Sequence, residues 1–148
     1  MRLYNINGKL QSKNVRKYLI DWGKPSRSKI QFKTKQFLKA FWENQIVYEE
    51  FPVYGTRMKV DILNATKKIA IEVQGTQHSS FNKFFHGNSR LKYLQSIKRD
   101  YQKHEWLKKN GFFTIEIEEK EIDLLSSEFF LEKFKIALWL PIMCNMKS

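Results

Sequence analysis

The sequence predicts an α/β fold, a mixed central sheet of about four strands flanked by helices, on two observations. Three short Val- and Ile-rich segments follow one another between residues 46 and 74, and a long helical segment separates them from a fourth such segment at 112–117. Consecutive short strands make an antiparallel meander, whereas a helix between the third and fourth strands permits a parallel crossover. At 148 residues with 42% hydrophobic and 28% charged composition, the chain is sized for one folded domain.

Taken in order, residues 1–27 are polar, basic and broken by Gly8, Gly23 and Pro25, and are expected as a short helix or an irregular basic arm. From Ser28 to about Asn44, Ile30, Phe37, Leu38 and Phe41 share one helical face while Lys29, Lys33, Lys35 and Lys39 decorate the others. Strands are expected at Ile46 to Val53, Met58 to Leu63 and Ile69 to Gln74, separated by turn residues such as Gly55 and Asn64. Residues 76–89 show neither period and read as a loop that faces substrate. Residues 89–109 return to helix, with Asn110 and Gly111 supplying the left-handed stop, and Phe112 to Ile117 form the fourth strand. A last helix is expected over 126–140, ended by Pro141. The organisation is thus a basic arm (1–27), a core (28–122) and a C-terminal helix (123–148) packed on the core or on a partner subunit.

Charge indicates the partner. Residues 1–115 carry 23 basic and 8 acidic residues, while residues 116–148 carry 4 and 7, for a net charge of +12. Excess cation over most of a compact domain suits a polyanion, because each Lys or Arg set on a phosphate releases condensed counterions. Nucleic acid is the expected partner. No apolar stretch is long enough to span a membrane, no secretion leader is evident, and the single Cys144 can form neither an internal disulfide nor a Cys-based metal knuckle. A cytoplasmic location follows.

The chemistry concentrates between Arg57 and His78. If Ala65 and Thr66 form the hairpin turn, Asp61 faces Ala70 and lies one diagonal step from Glu72, close enough for two carboxylates to share a cation. Alternation sends Val60, Ile62, Ile69, Ile71 and Val73 to a core and leaves Lys59, Asp61, Glu72 and Gln74 on the other face. The bland alternative is a solvated sheet face on which Arg57, Lys59 or Lys68 neutralise the two acids. On the following helix, Leu94, Ile97, Tyr101 and Leu107 make one stripe with Asp100 inside it and Lys103 beside it. Asp100 therefore either serves the site or makes a helix-to-sheet ion pair.

An Asp before a short turn, then an apolar strand ending Glu72-Val-Gln74-Gly-Thr-Gln-His78, resembles the PD-(D/E)XK nuclease superfamily, in particular its very-short-patch-repair-like and phage homing-type branches. The stretch Asp100-Tyr-Gln-Lys103 followed by Gly111 and a strand is similar to a second block of that superfamily, so the resemblance covers roughly residues 28–122. It implies a restriction-endonuclease-like fold and a metal-dependent DNA endonuclease acting on double-stranded DNA with Mg2+ (or Mn2+), in a bacterial or phage-infected cell. By the same resemblance Asp61, Glu72 and the carbonyl of Val73 are metal ligands. Where the family often has lysine this chain has Gln74, which can hydrogen-bond a water or phosphate but carries no charge. Lys103, Lys98 and His78 are the candidates to supply that charge.

Phosphate contacts are expected from Arg27, Lys29, Arg57, Lys59, Lys83, Arg90, Lys98 and Arg99. Phe81, Phe84 and Phe85 would either stack on bases or tuck their loop onto the core. His86 and His104 are weaker candidates. Two rival readings stand beside the endonuclease: a silent nucleic-acid-binding module of the same fold, and a nuclease for RNA or branched junctions. The apolar C-terminal residues Phe129, Phe130, Ile136, Trp139 and Leu140 exceed one helix face, favouring a homodimer or higher oligomer.

Overall fold

The computed structural model describes residues 1–75, 89–124, 128 and 132–133. His78, Lys83, the aromatic loop and nearly all of the C-terminal helix expected over 126–140 lie outside the described residues. The elements are β1 (Arg2–Tyr4), β2 (Leu10–Ser12), α1 (Lys29–Trp42), β3 (Val47–Pro52), β4 (Lys59–Asn64), β5 (Ile69–Gln74), α2 (Ser89–Lys109) and β6 (Phe113–Glu118). The main sheet has four strands in the order β3-β4-β5-β6, antiparallel except for the parallel β5–β6 pair that α2 connects. This is the mixed α/β architecture the strand pattern dictates. No helix among the described residues is long and apolar enough to cross a membrane.

Two apolar clusters lie on opposite faces of that sheet, because neighbours along one strand fall into different clusters: Ile62 and Leu63 on β4, Ala70 and Ile71 on β5. Leu38 and Trp42 of α1 cover one face, with Ile62, Ile69, Ile71, Ile115 and Ile117. Trp106 and Leu107 of α2 cover the other, with Leu63 and Ala70. Covering on both sides explains why β5 reads as a continuous apolar run. Val60 belongs with Leu63, not with Ile62 as simple alternation predicts. Strand β3 is distorted at the same level: Glu50 has φ +53, and the rung between Glu49↔Ile62 and Phe51↔Val60 is skipped.

Residues 1–27 are neither a helix nor an irregular arm. They form the β1–β2 hairpin and a single 3-10 turn at Arg16–Tyr18, and Leu3 and Val15 are buried in the α2-side core. Polar ties hold them in place: the Trp106 indole donates to the Tyr4 carbonyl (2.7 Å) and the Tyr54 hydroxyl to the Met1 carbonyl (2.8 Å). Their cationic composition hid a few well-placed apolar residues.

Both helices bury faces that overlap the expected ones only in part: Leu38 and Leu107 are buried and Ile30 and Phe37 partly so, while other members of the expected stripes are not. Ser28 caps α1, accepting from the Gln31 amide at 3.1 Å. Its buried stripe is Gln31, Thr34, Lys35, Leu38 and Trp42, whereas Phe41 is half exposed. Lys35 is fully buried because Glu49 on β3 (2.9 Å) and the Lys24 carbonyl (2.8 Å) receive its ammonium. On α2, Leu94, Ile97 and Tyr101 are exposed, and Trp106 and Leu107 alone are fully packed. The helix stops as expected: Gly111 takes φ +81, and the Phe112 amide returns to the Leu107 carbonyl.

A carboxylate pair under helix α2

The site is built on the β4–β5 hairpin. Asn64 Oδ1 accepts from the Lys67 amide and Lys68 adopts φ +60, so the turn spans Ala65 to Lys68 rather than two residues. The pairs Asn64↔Ile69, Leu63↔Ala70 and Ile62↔Ile71 follow. Asp61 is therefore set, one rung on, opposite Glu72 and not opposite Ala70. A shift of two residues preserves the face, so the two carboxylates still meet, and they do so as direct neighbours instead of diagonal ones. Asp61 Oδ2 also accepts from the Val73 amide at 2.8 Å, which fixes its side chain against β5.

Glu72 is 95% buried, with a residual exposure of 5%, on the face that α2 covers. Lys103 Nζ stands 3.0 Å from Glu72 Oε1, and that oxygen receives no aligned hydrogen bond, so the contact is an ion pair without a directed donor. Burial and the adjacent Asp61 charge outweigh the pull of Lys103 and push the Glu72 carboxyl from the ordinary 4.5 to about 8. The bland alternative named the wrong cations: among the described residues no ion pair joins Arg57 or Lys59 to either acid, Lys68 lies over the Phe112 ring (4.9 Å), and it is Lys103 that meets Glu72.

The raised carboxyl makes stability depend on pH. A folded-state pKa above the unfolded one stabilises below the unfolded value, and that contribution is lost as pH rises through the folded value. In EDTA the melting temperature is therefore expected to fall from about pH 5 to about pH 8, with Glu72→Gln flattening the slope. An unchanged slope in the Gln variant contradicts this assignment.

Asp61, Glu72, Val73, Gln74, Asp100 and Lys103 line one cleft of about 420 Å³, with Arg27 and Gln31 on its α1 side. An adjoining groove of about 890 Å³ shares Arg27, Asp61, Asp100 and Lys103 and adds Glu50, Arg57, Lys59 and Arg99. Of the residues expected to bind phosphate, Arg27, Arg57, Lys59 and Arg99 thus converge on the carboxylate pair. Lys29, Arg90 and Lys98 are exposed on helix surfaces and line neither space. Among the candidates to replace the charge missing at Gln74, Lys103 meets Glu72 and Lys98 does not.

Asp100 lines both spaces, half-buried, and no described cation pairs with it as a helix-to-sheet bridge would require. His104 also borders the cleft, 3.2 Å from Glu116, which is the β6 partner of Glu72 in the parallel ladder. Gln31 and Glu50 escape a reading of the sequence. Gln31 lies on the helix face counted as polar, and Glu50 lies in a strand whose distortion no residue type announces. Their only signal is a polar Gln31–Lys35 pair one helical turn apart, matched by adjacent acids on a strand.

Donor chemistry suits a hard cation: two carboxylates and a backbone carbonyl are oxygen ligands, and Glu72 offers a buried oxygen that lacks an aligned donor. Among the described residues no three His, Cys, Asp or Glu side chains converge to ligate one ion directly. A pair of carboxylates fits Mg2+, which is commonly held by one or two of them while keeping several waters.

Against known proteins, no family model and no solved structure matches this chain. It is similar to a curated relative, "Uncharacterized protein 033L" of Invertebrate iridescent virus 3, at 29% identity over 100 residues. That alignment takes in 64% of this chain and 51% of the viral protein, so the chain spans about half the length of the curated relative it matches.

Proposed function

We propose that this protein is a divalent-metal-dependent endonuclease that hydrolyses phosphodiester bonds in DNA. The observation that carries this reading is the Asp61–Glu72 pair on adjacent strands, Glu72 buried beneath Lys103 and Asp61 opening into a groove lined by Arg27, Arg57, Lys59 and Arg99. Asp61, Glu72 and the carbonyl of Val73 would hold Mg2+ or Mn2+. When bound, such a cation supplies Lewis-acid stabilisation of charge on a phosphate.

The chain's own residues account for the rest. Arg27, Arg57, Lys59 and Arg99 bind phosphates flanking the pair and set the strand's position, without reading sequence. Lys103, its ammonium within reach of the pair, places positive charge where the superfamily resemblance expects it from position 74. Gln74 lines the cleft and can hydrogen-bond a water or a phosphate oxygen.

The test is supercoiled plasmid incubated with the protein in Mg2+ or in EDTA. Nicked and linear products are expected with Mg2+ and none with EDTA. Retardation of DNA without cleavage under any divalent cation would leave the silent binding module instead. Preferential cleavage of RNA or of branched junctions over duplex would replace DNA as the substrate class.

A further inference from the structure

Beside the Asp61–Glu72 pair, another carboxylate enters the groove that Asp61 and Asp100 line, with a support of its own. Glu50 lies on β3 at the one rung skipped between β3 and β4, the level of Asp61, and lines the groove together with Asp61 and Lys103. Its backbone is left-handed, φ +53, a conformation that residues with a Cβ adopt seldom. The Gln31 side chain, 98% buried, reaches it: Nε2 donates to Glu50 Oε1 at 3.1 Å and to Glu49 Oε2 at 2.9 Å. Lys35 and Ser26 hold Glu49 in turn, at 2.9 and 2.6 Å. A buried amide braced by a buried ammonium thus fixes one oxygen of Glu50.

No described cation forms an ion pair with Glu50, although Arg27, Arg57 and Lys59 border the same groove. A carboxylate is thus held, half-buried, in a groove where cationic side chains stand beside two other carboxylates, Asp61 and Asp100. Nearby, Glu72 Oε1 is buried with Lys103 Nζ at 3.0 Å but without an aligned hydrogen bond, so it keeps acceptor capacity toward the cleft. Among the described residues no three acidic side chains converge to ligate one ion directly, so a role of Glu50 toward an ion held by Asp61 and Glu72 has to be exerted at a longer reach. Mg2+ typically retains several of its waters, and those waters need acceptors.

We propose that Glu50 is a positioning residue for a hydrated divalent cation, accepting hydrogen bonds from waters of the ion that Asp61 and Glu72 carry. This rests on the nuclease reading and extends it to a residue outside the motif. The arrangement gives Gln31 a role as well, since its amide keeps the acceptor turned to the groove.

The experiment is Mn2+ titration by calorimetry on wild type, Glu50→Gln and Glu50→Gly, with plasmid cleavage measured in parallel. Gln preserves the shape and the contact with Gln31 while removing the charge, and Gly removes the left-handed backbone penalty so that a folding defect cannot imitate the result. Both variants are expected to bind Mn2+ about 10- to 100-fold more weakly, the usual cost of losing an outer partner of a metal site. Melting temperature in EDTA should be unchanged or raised for Glu50→Gly. Equal Mn2+ affinity in wild type and both variants overturns the role of Glu50 while leaving a cleaving, Mn2+-binding wild type intact as a nuclease. If wild type itself takes up no Mn2+, the nuclease reading and this inference fall together.

Discussion

Asp61→Ala and Glu72→Ala are each expected to lower Mg2+-dependent plasmid cleavage by more than about a hundredfold, beyond the effect usual for outer partners of a metal site. The two substitutions remove different things. Asp61 accepts from the Val73 amide, so its loss also frees the end of β5 and the carbonyl beside it. Glu72 is the buried member, and its loss leaves Lys103 half-enclosed without a carboxylate. DNA binding measured by gel shift should persist in both, because Arg27, Arg57, Lys59 and Arg99 remain. Removing an acid from a basic groove is even expected to tighten retention of DNA slightly. Cleavage at wild-type rates by either variant contradicts the assignment of the site.

The largest loss of stability is expected at Lys35. Its ammonium is fully enclosed and has two recorded partners, Glu49 and the Lys24 carbonyl. Lys35→Ala leaves Glu49 beneath α1 without its counter-charge, and breaking a buried pair from one side costs about 3–5 kcal/mol. Urea unfolding is the measurement. Lys35→Met combined with Glu49→Gln should recover much of that loss, because Ser26 and Gln31 can still donate to an amide oxygen at position 49. A Lys35→Ala variant as stable as wild type would mean that water reaches Glu49. The pair lies two contacts from Glu50, so the double variant, even if stable, is expected to bind Mn2+ less well.

The elements that run on hydrophobic period were legible from the residues alone. Strands β3 to β6 and helix α2 start and stop within about a residue or two of their expected bounds, the usual uncertainty of such ends. Asp61 and Glu72 were legible as neighbours because strand parity survives an even shift of register, even though the turn at Ala65 to Lys68 is longer than expected. What failed to show was tertiary. Lys35 looked like a surface charge until Glu49 was placed across from it, and Phe41 looked like core yet is half exposed on a helix whose buried stripe includes Lys35. The packing of residues 1–27 depends on Leu3, Val15 and two backbone carbonyls that accept from Trp106 and Tyr54, none of which forms a local pattern. Glu50 takes its left-handed backbone at the rung skipped between β3 and β4, a distortion to which composition is blind.

Strand β6, the outermost described strand of the sheet, presents Glu116 and Glu118 to solvent, while the groove at the far side of the carboxylate pair gathers arginines. Glu116 and Glu118 are met by His104 and Lys120, whereas among the described residues Arg27, Arg57 and Arg99 of the groove make no ion pair, which leaves the groove the more cationic end. For the proposed nucleic-acid partner, that asymmetry is expected to turn the approaching polyanion toward the groove before contact. Raised salt should weaken that long-range guidance and slow capture, over and above any loosening of the complex once formed.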